Sequence, residues 1–212
     1  MDFSGYQVET ERMALRPYTQ ADFAAMADMH GREEVARYLL WQPRDADASR
    51  QALDRHLSPR LEREGDGMTL AGVDKETGRF VGEFVLFLRS TDHRGGELGY
   101  ILHPDFFGKG LAGEGARVIL QIGFEEMNLH RIIGRLDARN TASARVLDKL
   151  GMRKEAHFVR NEIVKGEWTD EVVYAMLAEE WGSRSSSSDM SSNTTAPASS
   201  STLPGVSPPA NP

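Results

Sequence analysis

Between Gly96 and Gly115 the chain reads GELGYILHPDFFGKGLAGEG. The cluster Gly108-Lys109-Gly110-Leu111-Ala112-Gly113 puts small residues at a helix start. There, backbone N–H groups can approach a ligand closely at the positive end of the helix dipole. That chemistry is anion binding. The same letters spell the GxGxxG of dinucleotide-binding proteins, with Asp137 at about the distance of a ribose-binding acid. Spacing argues against that reading: in a dinucleotide unit the first glycine follows its strand at once, whereas His103-Pro104-Asp105-Phe106-Phe107 separate Leu102 from Gly108. A pyrophosphate loop of another kind remains.

The elements that must hold this loop can be taken in chain order. Arg12 to Tyr18 alternates as a first strand ending at Pro17, and Thr19 can cap a helix through about His30. A second helical piece carries Val35, Leu39 and Leu40 and closes at Trp41-Gln42-Pro43. A third, capped by Asp45 or Asp47, carries Leu53, Leu57 and Leu61, with a kink or restart expected at Ser58-Pro59. Met68 to Val73 and Arg79 to Leu88 form an antiparallel hairpin about Asp74–Gly78, and a strand begins at Glu97. A long helix is expected over Leu111 to Met127, then a strand over Arg131 to Leu136. That strand–helix–strand crossover makes the two strands parallel neighbours. Asn140 opens a helix that Gly151 ends. His157 to Val164 and Trp168 to Leu177 close the chain as a hairpin about Lys165-Gly166-Glu167.

This order, and the phrase Phe107-Gly108-Lys109-Gly110-Leu111-Ala112, resemble the GCN5-related N-acetyltransferase (GNAT) superfamily, whose acetyl-coenzyme A loop reads R/Q-x-x-G-x-G/A. The aromatic first position inside HPDFFGKGLA is similar to the branch of ribosomal-protein alanine acetyltransferases, as are NTASARVLDKLGM and GEWTDEVVYAML. The resemblance covers residues 10 to 181. It implies a mixed α+β fold: a mostly antiparallel central sheet with one parallel strand pair splayed at the cofactor site, flanked by helices.

It also implies roles. Transfer of an acetyl group to an amine needs a held donor, a polarised carbonyl, a deprotonated amine and a proton for the leaving thiolate. The N–H groups of Phe107, Gly108, Lys109, Gly110, Leu111, Ala112 and Gly113 would hold the pyrophosphate of acetyl-coenzyme A, and Lys109 could add charge. N–H groups at Ile101 and Leu102, on a bulged and splayed strand, would serve the pantetheine and the thioester. Glu97 would act as base, with Glu83 on the adjacent strand as its rival. The tyrosine that often serves as acid is replaced by Leu147, so Ser143 would take that role, with Asn140 on the pantetheine arm or an ordered water. Arg145 and Lys149 would meet the adenosine phosphate. Tyr38 and Trp41 would wall the acceptor groove, and Trp168 and Asp170 would either border it or, for Trp168, pack on the sheet.

Composition bounds the rest. The formal charge is −7, and Arg184 and Asp189 cancel, so the charge belongs to residues before Ser183. That balance argues against nucleic acid as a main partner and suits a cationic acceptor. No cysteine is present, which removes an acyl-cysteine intermediate and thiolate metal sites. The six histidines show no ligand spacing, so no metal is expected. The opening MDFSGYQVETER lacks a leader pattern and no run is long enough for a membrane span, so a soluble cytoplasmic protein is expected, as monomer or homodimer. Residues 1–182 are read as one catalytic domain and Ser183 to Pro212, rich in Ser and Pro, as a disordered tail. The expected function is direct acetyl transfer from acetyl-coenzyme A to an amine, a protein N-terminus first and a small-molecule amine or antibiotic second. A coenzyme-binding sensor without catalysis is the reading from another class.

Overall fold

In the computed structural model, which describes residues 1–189 (the last six by backbone alone), eight strands form a single sheet. They are β1 (Val8–Glu9), β2 (Met13–Pro17), β3 (Gly67–Asp74), β4 (Phe80–Ser90), β5 (Gly95–Leu102), β6 (Arg131–Asp137), β7 (Arg153–Val164) and β8 (Glu167–Leu177). Their order across the sheet is β1-β2-β3-β4-β5-β6-β8-β7. Every neighbouring pair is antiparallel except β5 and β6. Alternation along each strand gives the sheet two faces. Helices α4 (Leu111–Gln121) and α5 (Thr141–Leu150) cover one of them, burying Leu86, Leu98, Ile119, Ile122, Ile132 and Leu147. On the other face, α1 (Phe23–His30) and α3 (Ala46–His56) pack around Tyr18, Met26, Leu53 and Ala71.

The parallel pair is short. Only Gly95–Arg131, Gly96–Ile132 and Glu97–Ile133 are in register, and from Leu98 onward no strand pairs with that side of β5. The two strands therefore diverge as expected. The expected bulge is elsewhere: β5 stays regular against β4 from Gly96–Leu88 to Leu102–Gly82, and the register shifts between Leu88 and Ser90. The strands therefore splay without an extra residue in this part of β5.

Helix limits differ from the sequence reading where tertiary contacts intervene. The third helix stops at His56, just before the interruption expected at Ser58-Pro59, and it does not restart to carry Leu61. Beyond it, the Pro59 carbonyl accepts from the Phe3 N–H at 3.0 Å and the Leu61 N–H bonds the Met1 carbonyl at 3.1 Å, so the chain end takes the place of a further turn. The second helical piece shrinks to α2 (Glu33–Ala36), leaving Leu40 largely exposed. The long helix ends at Gln121 and continues as a wider turn over Ile122–Glu126, in which the Met127 N–H reaches back to Ile122. Gly123 permits that bend, since a Cβ there would lie 2.4 Å from Ile132 Cδ1. Gly115 does the same in the middle of α4: a Cβ would sit 2.2 Å from the buried Phe84 ring, which brings α4 close to β4. The last strand pair is longer than expected, β7 beginning at Arg153. A final helix, α6 (Ala178–Asp189), runs past Ser183, so the first part of the expected tail is helical. The remainder lies outside the described residues.

Candidate active site

The glycine loop meets its expected geometry. Gly108 and Gly110 have φ of +73° and +82°, backbone that a side chain strains and glycine does not. Gly110 then caps α4. The first N–H of that helix to turn back is Glu114, onto the Gly110 carbonyl at 3.3 Å. Those of Leu111, Ala112 and Gly113 have no partner within the helix, the arrangement that an anion can use at a helix start. The loop is clamped from behind by Arg12, whose Nη1 donates to the Lys109 carbonyl at 2.8 Å and whose Nε donates to Glu114 Oε2 at 2.8 Å. Glu114 also accepts from Thr10 and from the Arg12 N–H. Burial pushes its carboxyl up, but these donors outweigh burial and hold it below the usual carboxylate range. Leu111 itself is a core side chain. The Lys109 ammonium lies over the Phe106 ring, 5.1 Å from its centre, and its side chain is not among those lining the pocket below.

Beside the C-terminal end of β5, between the starts of α4 and α5, lies a cavity of about 690 Å³, within the range of small-molecule sites. Ile101, Leu102, Phe107, Gly108, Gly110, Ala112, Gly113, Asn140, Ser143 and Arg145 all line it, so the structure brings together most of the residues expected to hold a donor. Asn140 Oδ1 accepts the Ser143 N–H at 3.1 Å, a helix cap that also fixes Ser143 beside the cavity. Two residues there escaped the sequence reading. Arg117, about one turn along α4 from Gly113, joins Arg145 and Lys149 in the lining and places a third cation at the rim. The i, i+4 spacing of Arg117 from Gly113 on α4 could have revealed it. Tyr100 lines the same cavity and donates to the Ser143 carbonyl at 3.3 Å, and burial pushes its phenol up to about 12. Leu147, in the place of the missing tyrosine, is core.

A second cleft, about 160 Å³, is lined by Glu97, Asp137, Glu162, Asp170 and Glu171, with Arg135 as the guanidinium among them. Tyr38 and Leu39 line both cavities, which therefore adjoin beneath these two side chains. Glu97 is not an isolated acid: Arg89 Nε lies 2.9 Å from Oε2 and Arg135 Nε 3.4 Å from Oε1. Arg135 also reaches Glu171 at 3.0 Å. Asp137 is chelated by Arg139; burial raises its carboxyl and the guanidinium and N–H of Arg139 outweigh that, leaving it lowered. Asp170 accepts from the Arg160 N–H and pairs with His157, which lower it.

Other expected residues fall outside both cavities. Glu83 is buried under α1, accepting from Tyr18 Oη at 3.0 Å and meeting His30 Nε2 at 3.2 Å. Burial alone raises its carboxyl; His30, His56 and Tyr18 outweigh that and leave it lowered. It supports the fold and lines neither cavity. Trp41 lies against His30 and the Arg44 guanidinium rather than in the groove. Trp168 is 61% exposed and sits opposite Ile163, neither packed on the sheet nor lining the cleft. Among the described residues no group of three or more His, Asp or Glu could hold a metal ion, and no helix is long and apolar enough to cross a membrane.

Comparison with known proteins agrees with this architecture. A family model described as the acetyltransferase (GNAT) domain matches residues 12–153. An uncharacterized N-acetyltransferase of Bacillus subtilis, YnaD, is 31% identical over 175 residues, 82% of this chain and 98% of the relative. The spermidine N(1)-acetyltransferase of Escherichia coli is 25% identical over 74% of this chain and 82% of its own. A crystal structure of a GNAT-family acetyltransferase from Bacillus anthracis superposes with a TM-score of 0.73 at 29% identity, covering 82% of this chain and 99% of that one.

Proposed function

The chain belongs to the acetyltransferase (GNAT) domain family, whose members use acetyl-coenzyme A, and from that premise we propose that it transfers an acetyl group to a small cationic amine held in the acidic cleft. The observation that carries this reading is the junction of the two cavities at Tyr38 and Leu39. A donor pocket with free helix N–H groups and three rim cations adjoins a small cleft in which carboxylates outnumber guanidinium groups. A protonated amine is drawn to such a cleft, and its volume suits an aminoalkyl end better than a folded protein surface.

In the proposed mechanism the donor brings an activated acetyl group as a thioester. The N–H groups of Leu111, Ala112 and Gly113 bind its pyrophosphate, and Arg117, Arg145 and Lys149 meet its outer phosphate. On the unpaired side of β5 the Leu102 N–H is offered to the carbonyl oxygen, stabilising the negative charge that develops there, whereas the Ile101 N–H, like that of His103 (2.8 Å to the Val81 carbonyl), faces β4. Glu97 lies four residues up β5 from Ile101, about 13 Å at ~3.3 Å per residue. It therefore accepts the amine proton through water in the cleft rather than directly. The Ser143 hydroxyl, set by the Asn140 cap, returns a proton to the departing sulfur, with the Tyr100 phenol beside it as the alternative donor.

A second reading, acetylation of a protein N-terminal amine, is supported by the resemblance of HPDFFGKGLA and NTASARVLDKLGM to the ribosomal-protein branch. One experiment separates the two: acetyl-coenzyme A is presented with a panel of polyamines, aminoglycoside antibiotics and short peptides with free N-termini, and thiol release is followed. Turnover with small amines and not with peptides supports the proposal. Peptide-only turnover replaces it with the second reading.

A further inference from the structure

Residues 32–44 leave α1 and return to it. At one end the Arg32 N–H bonds the Met29 carbonyl at 3.3 Å, and at the other the Arg44 N–H bonds the His30 carbonyl at 2.9 Å. The Arg44 guanidinium also meets His30 Nδ1 at 3.0 Å. The ends are thus fixed to the last two residues of α1, both buried, while the middle projects as an Ω-type excursion. That middle contains Tyr38 and Leu39, where the two cavities adjoin. Its helical part, α2, has four residues, too few to hold a helix without outside contacts.

One outside contact is supplied across the cleft. Lys165 and Gly166, with φ of +54° and +86°, form the tight two-residue turn between β7 and β8. Lys165 extends from this tip, and its Nζ donates to the Ala36 carbonyl at 2.5 Å. Ala36 is the last residue of α2, where carbonyls carry the negative end of the helix dipole and a cation is favoured. The residue before the turn, Val164, lines the acidic cleft. The hairpin tip and the excursion are therefore joined over the cleft by one charge-assisted bond.

We propose that Lys165 is a positioning residue for the acceptor: by pinning Ala36 it holds Tyr38 and Leu39 where the amine must pass to reach the donor. This rests on the reading of the small cleft as the acceptor site. Lys165 touches no reacting atom. The donor's phosphate contacts on α4 and α5 do not depend on it, so its loss separates acceptor from donor binding.

The test uses Lys165→Met, which keeps the apolar stem and removes the ammonium, beside Lys165→Arg, which restores a cation. Amide hydrogen exchange across residues 33–43 is measured on the full chain without ligand, and KM is measured for acetyl-coenzyme A and for the best amine. Loss of one charge-assisted bond predicts about tenfold faster exchange in 33–43 and about tenfold higher acceptor KM in Lys165→Met. The donor KM should stay within about twofold, and Lys165→Arg should recover most of both. Unchanged exchange in 33–43 overturns the pinning outright. Equal rises in both KM values overturn the positioning role. Faster exchange with turnover confined to peptides, or absent, leaves the pinning standing and removes the small-amine reading on which its role was built.

Discussion

Gly110→Asp puts a side chain and a charge at the centre of the proposed anion site, and the structure allows its effects to be separated. The native φ of +82° is one that side chains strain, at about 1–2 kcal/mol for an ordinary residue and less for aspartate. Space is not the obstacle, because the nearest atom to an added Cβ is Arg12 Nη2 at 3.5 Å. Folding should survive, with Tm lower by about 2–4 °C for each kcal/mol of strain. The carboxylate would face a donor phosphate at about 5 Å, a repulsion of about 3 kcal/mol per charge at an effective dielectric constant of about 20. Arg12 is near enough to neutralise part of it, which leaves about 2 kcal/mol, or roughly thirtyfold in Kd. Titration calorimetry with acetyl-coenzyme A measures that loss. Gly110→Ala, carrying the strain without the charge, should keep Kd within about threefold. If Gly110→Asp folds and binds the donor as tightly as the unmodified chain, the pyrophosphate does not lie on this loop.

Three further outcomes follow from other contacts. Glu97→Gln should lower kcat by about tenfold to a hundredfold with donor KM unchanged; an unaltered rate at neutral pH removes Glu97 from proton transfer. Gly115→Ala drives a methyl group into the Phe84 ring and should cost about 1–3 kcal/mol in denaturant unfolding. Adding Phe84→Leu should recover part of that, and additive losses would mean that the two residues do not press on each other. Glu83 has a carboxyl lowered by folding, so its stabilising contribution is present above the ordinary value of 4.5 and is lost as pH falls through the lower folded value. Glu83→Leu should therefore destabilise by about 3–5 kcal/mol near pH 7 and by clearly less at about pH 3. A gap between the two proteins that stays constant with pH would show that the carboxylate charge contributes nothing there.

The proposed donor half of the site was legible in the sequence because local chemistry dictates it. Left-handed backbone at Gly108 and Gly110, a helix start at Leu111 and an Asn cap at Asn140 are written in residue type and short spacing. The proposed acceptor half is made of long-range pairings that no window of sequence contains. Glu97 meets Arg89 and Arg135, Asp170 meets His157, and Lys165 reaches Ala36 from the far end of the chain. The same distinction explains the shifted boundaries. The break at Ser58-Pro59 was legible from the proline, but that no restart follows to carry Leu61 was not, because the N-terminal segment claims the backbone there. Glu83 and Glu97 looked alike as strand acids until β4 and β5 were placed, one ending under α1 with Tyr18 and His30 and the other in the cleft.

The central claim is that a donor on the glycine loop and an amine in the acidic cleft react where the cavities adjoin. It is tested most directly by following label from radioactive acetyl-coenzyme A into a polyamine, with the unmodified chain and with Gly110→Asp. The account predicts acetylated amine from the first and, at donor concentrations near its Kd for the unmodified chain, little from the second. Tight donor binding with no label in any amine or peptide would contradict it, and would make the chain a coenzyme-binding sensor built on an acetyltransferase fold.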